Sequence, residues 1–164
     1  MNLTEAEFYA GDVRRWHASQ VPELRDCGDT IQSHQVRCVW LVKRLITAPE
    51  RTLIEATRWH DQPEVLLGDM PFLTKRDFPN FAAAWETMEC FVVMHYNVPQ
   101  PTTQTERDMV KLVDLLDAYM IVQKHAPHIL DEPDWQEQHE EISRRARALD
   151  MLRGVLDIIR EGTQ

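Results

Sequence analysis

At 164 residues the chain is long enough to bury a sizeable core in one domain. Hydrophobic residues make up 43% and charged residues 27%, an ordinary globular balance that excludes a disordered chain. The net charge of −9 argues against nucleic acid or an anionic membrane as the main partner, but leaves room for a small anion neutralised by a metal and local Arg or Lys.

Only 5 glycines are present and no long run of alternating β-branched residues occurs, so the composition leans towards helix. Cys27, Cys38 and Cys90 are odd in number and lack C-x-x-C spacing, which suggests neither a disulfide framework nor a structural zinc motif. The N-terminal stretch MNLTEAEFYAGD is acidic and has no apolar signal core, and no apolar run approaches the roughly 20 residues that span a bilayer. The expectation is a soluble protein of a reducing cytoplasm.

The elements follow in chain order. Residues 3–10 are expected to form a short helix capped by Thr4, and the stretch from Gly11 to Asp29 reads as a loop. From Asp29 or Thr30, either a good N-cap, a strong helix runs to about Ile46. Its apolar positions Ile31, Cys38, Val42, Leu45 and Ile46 recur at helical spacing, and His34 falls on the same inward side. Pro49 suits the first turn of a helix ending near His60, and a loop containing Pro63, Gly68 and Pro71 follows. FPNFAAAWETMECFVVMHYN (78–97) is another helix. TERDMVKLVDLLDAYMIVQKHA (105–126) is a long one, opened by a capping pattern from Thr105 to Asp108. A last helix is expected from about Trp135 to Arg160. The expected fold is all-α, a single domain over residues 1–164 with five to six main helices.

Several residues carry possible chemistry. A lone inward His is ordinarily a hydrogen-bonded core residue, and a His near a helix C-terminus such as His60 is explained by the helix dipole. Acids within LVDLLDAY can lie on a solvated face. Together these residues weigh more, because divalent transition metals favour imidazole nitrogen and carboxylate oxygen. An inward His34, an adjacent His60–Asp61 pair at a helix end, and an Asp in a late apolar helix would supply four such ligands. Val110, Asp114, Asp117 and Ile121 share one face, so periodicity does not choose between the two late acids.

Four stretches, VRRWH (13–17), TIQSHQV (30–36), HDQPEVLLGDMP (60–71) and VKLVDLLDAY (110–119), resemble the HD-domain metal-dependent phosphohydrolases. The similarity is closest to the compact branch of bacterial 5′-deoxynucleotidases and phage dATP triphosphohydrolases. It implies a helical HD bundle with His34, His60, Asp61 and Asp114 as metal ligands, and so favours Asp114 over Asp117. It implies catalytic roles for Glu64, which would position water or move a proton, and for Asp69 after the Gly68 turn. Arg15 and Trp16 match the R-W pair that holds phosphate and packs on the nucleoside, and Lys75 and Lys111 match phosphate-facing lysines. One departure is Ser33, which stands where relatives usually carry Glu before the first His. The segment from Trp16 to His34 is also about four residues longer than in the deoxynucleotidases.

The resemblance further implies one catalytic divalent metal (Zn, Co or Mn), with Mg accompanying a triphosphate substrate. It implies a deoxyribonucleotide substrate, a homo-oligomer (dimer or hexamer), and a bacterial or phage-infected host cytoplasm. The first functional expectation is a dATP-type triphosphohydrolase, because Lys75, Arg76, Arg107 and Lys111 can neutralise a longer phosphate tail. The second is a 5′-deoxynucleotidase acting on monophosphates. A third, of a different class, is a non-catalytic helical interaction protein that keeps the scaffold.

Overall fold

The computed structural model describes Glu5 and residues 9–162, with the side chain of Phe72 left out. The short helix expected at 3–10 falls mostly outside these described residues. The chain is all-α. Among the described residues extended pairing is limited to an isolated antiparallel bridge between Arg14 and Thr30. Residues Met1–Gln35 with Trp59–Gln100 form one compact unit, and Val36–Arg58 with Pro101–Gln164 form a second.

The helices are α1 (Pro22–Arg25), α2 (Ile31–Leu45), α3 (Arg51–Trp59), α4 (Glu64–Leu67), α5 (Phe72–Asp77), α6 (Pro79–Tyr96), α7 (Gln104–His125), α8 (Pro133–Ala148) and α9 (Leu152–Glu161). A 3-10 turn at Pro127–Ile129 links α7 to α8. The expected loops at 11–29 and after His60 therefore contain three short helices. Proline explains the difference: Pro22 opens α1, while Pro63 and Pro71 are the residues immediately before α4 and α5. A fixed φ and a missing N–H are tolerated at a helix start, where the donor has no intrahelical partner.

Helix α2 begins as expected. Thr30 is its cap, because its hydroxyl oxygen accepts the Ser33 backbone N–H at 3.2 Å while its own hydroxyl donates to the Ser33 oxygen at 3.1 Å. Helix α7 corrects the expected start at Thr105. Its capping box pairs Thr103 with Glu106, and the longer Glu side chain reaches back to the Thr103 N–H at 3.2 Å. The final expected helix is two. After α8 the chain turns at Asp150 (φ 57°), with the Met151 N–H bonded to the Ala146 carbonyl and the Asp150 N–H to that of Arg147. This is a Schellman closure with Asp in the left-handed position, which Asp tolerates better than most residues with a Cβ. Asn97 closes α6 in the same way at φ 51°. Apolar periodicity continues across Asp150, so the break had no signal in that pattern.

The second unit holds a continuous core. Leu41 and Val42 of α2, Leu112 and Leu116 of α7 and Ile142 of α8 are fully buried there. Cys38 joins them, its thiol 3.7 Å from the Val113 carbonyl. One buried charge in this unit is Asp117, which Arg37 holds with two guanidinium nitrogens, Nη2 to Oδ2 at 3.0 Å. Glu106 is tied in from α7: Thr52 donates to it at 2.6 Å and the Thr102 hydroxyl at 2.7 Å.

These bonds to the ionised form, the Thr52 hydroxyl first and those of Thr102 next, pull the Glu106 carboxyl from 4.5 down to about 2. The folded value lies below the unfolded one, so the stabilisation is present above about pH 4.5 and is lost as pH falls through about 2. Glu106→Gln is therefore expected to lower the thermal midpoint at neutral pH, with the gap to wild type closing in acid. Melts followed by circular dichroism across that range measure it.

Candidate metal centre

The first unit brings three of the expected ligands, His34, His60 and Asp61, together. Asp61 and His60 sit in the tight turn between α3 and α4, where the Gln62 N–H returns to the Trp59 carbonyl and the Glu64 N–H to that of Asp61. Adjacent side chains diverge by about 100° on a regular helix, and at this helix end both instead meet His34. The His34 ring is fully buried in the first turn of α2. Its Nε2 lies 3.1 Å from His60 Nε2 and 3.1 Å from Asp61 Oδ2, while His60 Nε2 is 3.4 Å from Asp61 Oδ1.

Those separations test whether a metal fits. Ligand atoms about 2.0–2.2 Å from one ion lie roughly 3.0 to 3.5 Å apart, whether its geometry is octahedral or tetrahedral. The two nitrogens and the carboxylate have that spacing. Without an ion, two imidazole nitrogens at this distance need one to carry its hydrogen and donate it to the lone pair of the other. The donor set suits a divalent transition metal.

Arg15 reaches the other side of His34, its Nη1 2.8 Å from His34 Nδ1. A guanidinium only donates, so this contact makes Nδ1 the acceptor and leaves the ring proton of a neutral imidazole on Nε2. Ligation through Nε2 would require the proton to move to Nδ1, where Arg15 cannot accept it. Metal capture by His34 and this Arg15 contact therefore exclude each other.

The segment carrying Arg15 is held in place by backbone pairing. The Arg15 N–H bonds the Asp29 carbonyl and the Ile31 N–H bonds the Val13 carbonyl, both at 3.0 Å. Trp16 adopts φ 61°, a left-handed conformation costing a bulky side chain on the order of 1–3 kcal/mol. Its indole N–H donates to Asp29 Oδ2 at 3.3 Å, and Arg15 Nη1 approaches the same oxygen at 3.5 Å. The guanidinium carbon lies 5.5 Å from the centroid of the Trp16 ring. Asp29, considered from the sequence only as a helix cap, is thus the anchor of the R-W pair.

Three acids gather beside the histidines with opposite tendencies. Burial alone would raise the Asp61 carboxyl, but the charges of His60 and His34, the His34 hydrogen bond and Arg15 hold it well below the usual range. Glu64 is buried at the start of α4 and pushed well above 4.5, first by burial and then by the charges of Asp61 and Asp69; Lys75 and Arg15 oppose the shift. Asp69 follows Gly68, whose φ of 84° makes the turn, and burial raises its carboxyl against the pull of Arg15. Glu89 of α6 was not foreseen; burial raises it, and the charges of Lys75 and Asp61 act on it.

The remaining expected residues lie on α7 in the second unit. Asp114 accepts from Lys111 at 2.8 Å, and Arg107 donates to Gln104 at 3.2 Å. In the first unit Arg76 is paired with Asp77 at 2.8 Å. Asp117, which periodicity left open as a ligand, is the acid held by Arg37. Comparison with family models, curated proteins and solved structures finds no match.

Two outcomes follow from this geometry. In chelator-treated protein, nitrogen NMR of His34 should show the proton on Nε2, and zinc should move it to Nδ1; protonated Nδ1 before zinc contradicts the Arg15 contact. The second concerns Glu64, whose folded value is raised. The unfolded chain therefore releases its proton first, and stability falls as pH rises above about 4.5. Glu64→Gln cannot ionise, so in the absence of metal its melting temperature should exceed that of wild type by a margin that widens from pH 4.5 to 8.

Proposed function

We propose that the chain is a metal-dependent phosphohydrolase acting on deoxyribonucleotides at the 5′-phosphate, in the manner of the HD-domain enzymes its motifs resemble. The observation that carries this reading is the convergence of His34, His60 and Asp61 at ligand spacing, with Arg15 on His34 and buried Glu64 beside them. His34, His60 and Asp61 would hold the metal, and the resemblance adds Asp114 as a fourth ligand. A bound divalent metal supplies Lewis acidity towards a phosphoryl oxygen and makes water a nucleophile near neutral pH.

The chain's own groups supply the rest. Arg15, displaced from His34 Nδ1, would present two parallel N–H donors to non-bridging phosphate oxygens, which a lysine cannot do. The Trp16 ring beside it offers a flat apolar face for sugar or base. Glu64, pushed by burial towards its protonated form, would donate a proton to the departing 5′-oxygen and take one from the attacking water. Lys75, whose charge bears on Glu64 and Asp69, balances the local negative charge.

Within this class the first reading is a dATP-type triphosphohydrolase releasing deoxynucleoside and triphosphate. The second is a 5′-deoxynucleotidase releasing phosphate from a monophosphate. One observation favours the second: Arg76 and Lys111, two of the four cations invoked for a longer tail, already serve Asp77 and Asp114. Exposed pairs of this kind hold by less than about 1 kcal/mol, so a triphosphate can compete for them.

Incubating metal-loaded protein with dATP and dAMP, and identifying the phosphate product, decides between them. Triphosphate from dATP supports the first reading, and orthophosphate from dAMP with dATP untouched supports the second. Glu64→Ala is expected to keep the fold and the metal while turnover falls about 10²–10⁴-fold; near-normal turnover removes Glu64 from this role. Protein purified without chelator that retains no transition metal favours the non-catalytic interaction protein.

A further inference from the structure

Helix α6 carries a carboxyl group that the proposed reaction does not use. Phe81, Trp85 and Glu89 stand four residues apart, so they share one stripe of the helix. Phe81 is exposed, while Trp85 and Glu89 are half-buried. The Phe81 and Trp85 rings lie 6.0 Å apart, tilted by 49°. An aromatic surface therefore leads along α6 to an acid, all within the first unit.

The polar groups of this stripe have bonding capacity to spare. The Trp85 indole N–H is buried and completes no hydrogen bond among the described residues. Glu89 enters no ion pair among them. Burial raises its carboxyl; Lys75 and then the Trp85 indole N–H draw it down, and the charge of Asp61 pushes it up. Lys75 acts on Glu64 and Asp69 as well, so Glu89 stands at the edge of the same acid cluster. A carboxylate only accepts, and one half withdrawn from water needs N–H or O–H donors in its place. Flat rings beside such an acceptor suit a heterocycle that carries an amino group.

We propose that the Phe81–Trp85–Glu89 stripe is a nucleobase subsite, where Glu89 accepts a hydrogen from the exocyclic amino group of a purine. The proposal rests on the deoxyribonucleotide reading above and names the class of base it takes. Two rings cover a bicyclic purine more fully than a single-ring pyrimidine. A sugar hydroxyl fits less well, because a pentose presents no flat face to the rings. Glu89 thus sets specificity without touching the reacting atoms, and Trp16 is left to the sugar.

The test is a chemical-shift titration of the zinc-loaded full chain with nucleosides, which carry no phosphate to be hydrolysed. Two pairs of probes isolate the amino group. Deoxyadenosine is compared with purine 2′-deoxyriboside, which lacks the 6-amino group, and deoxyguanosine with deoxyinosine, which lacks the 2-amino group. In one pair the amino-bearing nucleoside is expected to bind about 10-fold or more tightly, as one hydrogen bond to a charged group provides. The Trp85 indole N–H resonance should shift with it. Glu89→Ala is expected to erase the preference and Glu89→Gln, which keeps an acceptor oxygen, to retain part of it. Circular dichroism and zinc retention should be unchanged in both variants. Equal affinity within both pairs, no binding of any nucleoside, or a preference that survives Glu89→Ala overturns the proposal. Turnover of dAMP or dATP is read separately: activity without an amino preference leaves the reaction standing, and a preference without activity removes the reaction alone.

Discussion

The two nitrogens of His34 impose the constraint on which the first unit turns. One faces His60 and Asp61, the other receives Arg15, and the ring has no exposed edge. A buried imidazole must place both nitrogens, and here each placement recruits a different part of the chain. The His–Asp turn after α3 meets one side; the 13–16 segment, pinned by its pairing with residues 29–31, meets the other. Because Arg15 can only donate, the state of the ring and the position of the guanidinium are linked. A group that competes for Nε2 changes what Arg15 is free to do.

The same crowding governs the acids. Asp61, Glu64 and Asp69 come from nine consecutive positions, yet their environments push them apart: Asp61 stays ionised against the histidines, while burial and the acidic neighbours push Glu64 towards its protonated form. Such separation is the pattern that would let one cluster supply both an acid and a base. It also lowers stability, because an acid held away from water favours unfolding once the pH passes its ordinary value. The left-handed Trp16 belongs to the same group of locally unfavourable features, held by the Asp29 anchor.

Much of this was legible from residue spacing. The inward face of α2, with His34 in line with Ile31, Cys38 and Val42, follows from helical periodicity and is buried as expected. The His60–Asp61 pair was read at a helix end, where adjacent side chains can converge. Other features were illegible for physical reasons. The break at Asp150 interrupts no apolar pattern, and the prolines that suggested loop in fact open helices. The choice of Asp117 as the partner of Arg37 depends on residues 80 positions apart. Asp29 as an anchor and Glu89 beside the acids likewise depend on contacts that local sequence does not encode.

Sequence by itself determined the all-helical class, the inward placement of His34, and the donor types available to a divalent metal. Each follows from short-range spacing and side-chain chemistry. Tertiary structure decided the distances among those donors, the ring nitrogen that Arg15 occupies, the protonation tendencies of Glu64 and Asp61, and the exposure of Phe81, Met88 and Phe91 on α6. These depend on which groups lose water together, and only the packed chain brings those groups within reach of one another.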